Sequence, residues 1–105
     1  MDEKIIIHYR PTSTFGPQTQ TPDFMSSQKI IIDTDPGQDD AIGILMALAS
    51  HKELDLLGIV TVAGNVPLEL TSRNALILCE LAKKPDTKVF AGCSKPLVRP
   101  LVTAE

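Results

Sequence analysis

The spacing of apolar residues changes sharply near Lys29. Within residues 29–33, Ile30, Ile31 and Ile32 form a continuous β-branched run, which predicts a strand buried on both faces. Residues 34–38 contain Pro36 and Gly37, a turn signal. Asp39 and Asp40 then open a helix running to about Ser50, since acidic residues suit the first helical turn. The body of that helix, AIGILMALA, is apolar nearly all round and is expected to be buried. Residues 56–62 predict a second buried strand, ended by Gly64. A second helix is expected over about 67–83, where Glu69, Arg73, Glu80 and Lys84 share one narrow face. Pro85 and Asp86 break it, and residues 88–91 predict a third strand. This βαβαβ order is α/β and predicts part of an open, Rossmann-like parallel sheet with right-handed crossovers. Ligands in such sheets bind beyond the carboxyl ends of the strands. Residues 33–40 and 63–65 both follow strand ends, so they are expected to meet on one rim.

Residues 1–28 lack this periodicity. Positions 11–28 read PTSTFGPQTQTPDFMSSQ, too poor in apolar surface to offset the entropy of ordering. A disordered leader over 1–28 and a domain over 29–105 are therefore expected. The stretch 92–105 is loop-like, and three strands with two apolar helices would leave an open sheet edge. The domain is accordingly expected to be a truncated one, the N-terminal portion of something larger. At 105 residues and 43% hydrophobic content the chain holds one domain at most.

A net charge of −3 offers no attraction for nucleic acid or an anionic membrane. No apolar run is long enough to span a bilayer, and the N-terminus lacks a signal-peptide pattern, so a cytoplasmic chain is expected. Cys79 and Cys93 have no CxxC partner and no nearby histidine, and both read as reduced and structural. His8 falls in the leader and His51 follows a helix end, so neither is expected on the rim.

Asp33, Asp35, Asp39 and Asp40 place four carboxylates within eight residues. One such aspartate is ordinarily a helix cap or a turn residue. Four repel one another, so the site must either keep some of them protonated or hold a cation; a hard divalent ion with oxygen ligands, calcium before magnesium, meets that need. The turn at Pro36 and Gly37 would let Asp35 and Asp40 face one ion from opposite ends. An EF-hand fits poorly, because its sixth position would be Gln38 and its twelfth Ile44. The strand followed by DxD also resembles the phosphotransferase loop of the haloacid dehalogenase class. That alternative gives no role to Asp39 and Asp40.

The string IIIDTDPGQDDA resembles the N-terminal signature of the inosine–uridine preferring nucleoside hydrolases. The likeness continues through GIVTVAGNVPLELTSRNAL and VFAGCSKPLVRP and covers about 29–105. It implies calcium-dependent hydrolysis of the N-glycosidic bond of ribonucleosides to ribose and free base, by an enzyme commonly oligomeric. Carried over by position, Asp35 resembles the residue that binds calcium and acts as general base, and Asp40 resembles a bidentate calcium ligand. Asp39 and Asn65 resemble residues that hydrogen-bond ribose hydroxyls, and Asp33 resembles an outer support of the site. Taken alone, Asn65 reads equally well as a turn residue after Gly64. The acid for the leaving base and the later calcium ligands of the family have no counterpart in this chain, so the fragment alone is expected to be inactive. A non-catalytic calcium- or ribose-binding remnant is the alternative from a different class.

Overall fold

The computed structural model describes the backbone of residues 6–7 and all of residues 27–104. Its elements are β1 (Ile6–Ile7), β2 (Gln28–Thr34), α1 (Gln38–Ala49), β3 (Leu54–Thr61), α2 (Leu68–Leu81) and β4 (Val89–Ala91). The strands lie in the order β1-β2-β3-β4. β2, β3 and β4 run parallel, as the alternating strand and helix pattern requires, and β1 pairs antiparallel with β2 at Ile32 and Asp33. Most of the expected leader lies outside the described residues. The part that is described, Ile6–Ile7, is a strand on the sheet edge.

One apolar core joins the sheet to both helices. It comprises Ile30, Ile32, Ile44, Ala47, Leu48, Ile59, Ala75 and Cys79. The helices contribute their buried residues at helical spacing: Asp40, Ile44, Ala47 and Leu48 from α1, and Thr71, Ala75 and Cys79 from α2. Glu69, Arg73, Glu80 and Lys84 are exposed, as their shared face predicts.

Two expectations about burial need correcting. β2 is not buried on both faces: Ile30, Ile32 and Thr34 are buried while Ile31, between them, is 45% exposed. Likewise α1 is not enclosed, since Ile42 is 61% and Met46 65% exposed. The cause is the same in both cases. One core on one side of the sheet covers one face of a strand and one stripe of a helix, whatever the remaining positions carry.

β3 keeps its inward face through an irregularity. Ile30 pairs with Leu56 but Ile31 pairs with Gly58, so Leu57 is an extra residue opposite β2. Strict alternation from Leu54 and Leu56 would send Ile59 and Thr61 to the outer face. The bulge reverses the parity, and both are fully buried. Leu57 is left 45% exposed. Gly58 lies beneath the Phe90 ring, where an added Cβ would come within 3.1 Å of Cε2.

α2 ends before its proline signal takes effect. Lys83 adopts a left-handed conformation (φ 57°) and the Lys84 N–H donates to the Cys79 carbonyl at 2.8 Å, a closure of the Schellman kind. The two thiols differ as expected from this packing. Cys79 is buried and Cys93 exposed. Burial pushes the Cys79 thiol above its ordinary range, an effect that a hydrogen bond with Thr87 partly offsets. A thiol reagent at pH 8 should therefore modify Cys93 rapidly and Cys79 only as the chain unfolds. Peptide mass spectrometry over time checks this, and equal labelling rates would contradict the packing of α2.

Candidate functional site

The carboxyl ends of β2, β3 and β4 form one rim, and backbone hydrogen bonds continue across it past the strand ends. The Val62 N–H donates to the Thr34 carbonyl at 3.0 Å, and the Ala63 N–H to the Cys93 carbonyl at 3.0 Å. Segments 33–40 and 63–65 meet here, as their positions after strand ends predict.

Asn65 makes the junction. Its backbone N–H donates to Asp35 Oδ2 at 2.8 Å, and its side-chain Nδ2 donates to the Asp35 backbone carbonyl at 3.0 Å. The first bond ends on a carboxylate oxygen, the stronger kind. A third bond comes from the C-terminal stretch, where the Ala104 N–H donates to the Asn65 carbonyl at 3.0 Å. The fit is close enough to require glycine on both sides. A Cβ on Gly64 would collide with Asp35 Oδ2, and one on Gly37 would lie 2.7 Å from Asn65 Nδ2.

Asp40 is held differently. It sits in the first turn of α1, only 3% exposed, and accepts a hydrogen bond from Thr34 Oγ1 at Oδ2, 2.6 Å away. The helix N-terminus favours its charge. None of the four aspartates caps the helix: the N-cap residue is Gly37, and no side chain caps it. Asp39 is exposed on the same turn. Asp33 is half-buried in β2, one position from the buried Thr34 and in register with Val60. Among the described residues neither Asp33 nor Asp39 makes a side-chain hydrogen bond. His51 lies at the opposite end of the sheet, beside Ser27, Asp55, Lys84 and Thr87, and takes no part in the rim.

Two partners of the loop are missing from the sequence reading. Thr34 is one. The other is Asn74 in α2, whose Nδ2 donates to the Pro36 carbonyl at 3.0 Å. α2 is itself tied to β3 through Ser72 Oγ and the buried Thr61 Oγ1, 2.7 Å apart. The signals were a threonine two positions beyond Ile32 on the inward face of β2, and an amide in α2 next to Ala75 of the buried stripe.

The donor chemistry suits a hard cation, in part. Asp35 and Asp40 are carboxylates within six residues, and the described partner of the buried one is a neutral hydroxyl rather than a cationic side chain. Among the described residues, however, no three acidic, histidine or cysteine side chains are grouped as a metal site would need. Two carboxylates alone would fall short of the six to eight oxygens that calcium takes.

With this geometry in place, the relationship to known proteins is direct. The chain belongs to the inosine-uridine preferring nucleoside hydrolase family, whose model matches residues 30–105. It is 54% identical over 70 residues to uridine nucleosidase 1 of Arabidopsis thaliana, covering 67% of this chain and 20% of that protein. It is 47% identical over 77 residues to the inosine-uridine preferring nucleoside hydrolase of Crithidia fasciculata, covering 73% and 24%. An uncharacterized protein of Schizosaccharomyces pombe is 62% identical over 76 residues, 72% of this chain and 24% of that one. The solved structure of a plant nucleoside hydrolase matches with a TM-score of 0.67 and 42% identity, over 72% of this chain and 24% of that one. The chain thus spans about a quarter of the length of the relatives it matches, and its 29–105 segment corresponds to part of their fold.

The junction makes a ranked prediction for stability. Asn65→Ala removes one donor and leaves the backbone N–H in place, a loss of about 1 kcal/mol. Gly64→Ala should cost more, because it drives the Asp35 carboxylate out of its position. Guanidinium denaturation of the two variants checks the order, and a Gly64→Ala variant as stable as the parent would contradict the contact.

Proposed function

We propose that this chain supplies the water-activating side of a calcium-dependent nucleoside hydrolase site, which cleaves the N-glycosidic bond of ribonucleosides to ribose and free base. The observation that carries the reading is the Asn65–Asp35 junction, formed across two strand ends within the segment that matches the family. It fixes the Asp35 carboxylate at the rim where an α/β sheet presents its ligand site.

Asp35 is the residue proposed to take the proton from the attacking water, and with Asp40 to hold the cation. A calcium ion bound there would supply polarisation of that water and anchorage for the sugar hydroxyls. Asp35 Oδ2 accepts the Asn65 N–H, which leaves Oδ1 and further lone pairs on both oxygens for water or cation. Asp39, exposed at the N-terminus of α1, is assigned the acceptor role for a ribose hydroxyl. Asn65 commits one amide N–H to the Asp35 carbonyl, so its Oδ1 and second N–H remain for ribose. Asp33 is assigned a supporting role, through charge rather than contact. Attack on an oxocarbenium-like carbon by a carboxylate-activated water follows the logic of glycoside hydrolysis.

The described rim carries no histidine, and none of its carboxylates is assigned to the departing base. We therefore propose that the 105-residue chain does not turn over nucleosides by itself. Ribose release from inosine and uridine with added calcium should not exceed the protein-free rate. Turnover by this chain that Asp35→Asn abolishes would overturn that statement, and turnover of phosphate esters instead would favour the phosphotransferase alternative.

Function within a whole fold is testable by exchange. Residues 30–105, placed in the Crithidia fasciculata enzyme in lieu of its matching segment, should support ribose release. In that chimera Asp35→Asn should lower kcat by about a hundredfold or more, as loss of a general base does. Asp39→Ala should raise KM for the nucleoside more than it weakens calcium binding. A folded, inactive chimera, or an active one indifferent to Asp35→Asn, would contradict the assigned roles.

A further inference from the structure

We propose that Thr34 is a positioning residue for Asp40, its hydroxyl fixing the orientation in which that carboxylate meets a cation at the rim. The inference rests on the cation reading given above and deepens it. Thr34 is the last residue of β2, and alternation from Ile30 and Ile32 turns its side chain to the inward face, beneath the first turn of α1. Both partners are 3% exposed, and 2.6 Å separates Thr34 Oγ1 from Asp40 Oδ2. The hydroxyl has a single proton, and it goes to a buried carboxylate.

The consequence concerns the other oxygen. Among the described residues Asp40 Oδ1 accepts no hydrogen bond, and no buried side-chain oxygen lacks a partner. Among the described residues Oδ1 is thus the oxygen left for a ligand, while Oδ2 is tethered from below. One short bond to a buried strand residue sets the carboxylate plane before any ligand arrives. Partners of this outer kind commonly change metal affinity by about 10- to 100-fold when removed. Without the hydroxyl, Asp40 would keep its place in the helix and lose its fixed orientation.

Two substitutions separate this role from simple packing. Thr34→Val keeps the volume and shape and deletes the hydroxyl. Thr34→Ser keeps the hydroxyl and deletes a methyl group. A packing role makes serine the worse variant, whereas a positioning role makes valine the worse one. The experiment titrates the 105-residue chain and both variants with terbium as a luminescent calcium probe, with calcium competition and thermal melts in chelator alongside. Thr34→Val should weaken cation affinity about tenfold, and Thr34→Ser should stay within about twofold of the parent. If the parent binds and valine matches it, or serine binds more weakly than valine, the positioning role is overturned and the cation reading stands. If the parent does not bind terbium or calcium at all while melting cooperatively, both are overturned. A variant that melts without cooperativity is replaced by Asp40→Asn with Thr34 intact. That variant should bind at least about tenfold more weakly than the parent, and parent-like binding would overturn the role, since Thr34 would then have no ligand to position.

Discussion

Two hydrogen bonds from Asn65 to Asp35 tie the end of one strand to the loop that leaves its neighbour. The turn at residues 35–37 lies beyond the β2 ladder, so its conformation must come from outside itself. Asn65 grips it from the loop after β3, Asn74 grips the Pro36 carbonyl from α2, and Ala104 holds the Asn65 carbonyl in turn. The glycines at 37 and 64 belong to the same constraint, because either Cβ would force the junction apart. Every functional proposal for the rim presumes that the Asp35 carboxylate stays where this junction puts it.

The two carboxylates at the centre of the site are thus held by different physics. Asp35 is half-buried and anchored by Asn65, in the loop that follows the neighbouring strand. Asp40 is buried in a helix turn, stabilised by the helix N-terminus and by one neutral hydroxyl. An arrangement that buries an anion beside a neutral partner, within six residues of a second anion, is stable only where an outside charge or solvent compensates it. A cation at the rim, as proposed, would supply that compensation.

The order and kind of the elements from β2 to β4 were legible in the sequence, because β-branched runs, acidic first turns and the Pro36–Gly37 and Pro85 punctuation all act locally. How many layers cover the sheet was not. The run Ile30, Ile31, Ile32 looks the same whether one face or two will be buried, and only packing makes Ile31 the exposed one. The bulge at Leu57 was equally hidden, since LDLLGIVT carries no mark of which residue will lose its partner. At the site, the aspartates and Asn65 were visible as residues that share a rim. Thr34 and Asn74 were not, because their roles depend on strand parity and helix phase rather than on a motif. The pairing of Ile6–Ile7 with β2 likewise involves contacts between segments far apart in the chain, which no local pattern announces.

The central claim is that residues 33–40 and 63–65 form one cation-responsive rim. Amide chemical shifts followed by nuclear magnetic resonance during a calcium titration test it most directly. The account predicts shifts concentrated at Asp35, Asp39, Asp40, Gly64 and Asn65, with the opposite end of the sheet around His51 and Lys84 unmoved. Shifts centred on that opposite end, or a response at the aspartates that leaves Gly64 and Asn65 unchanged, would contradict it.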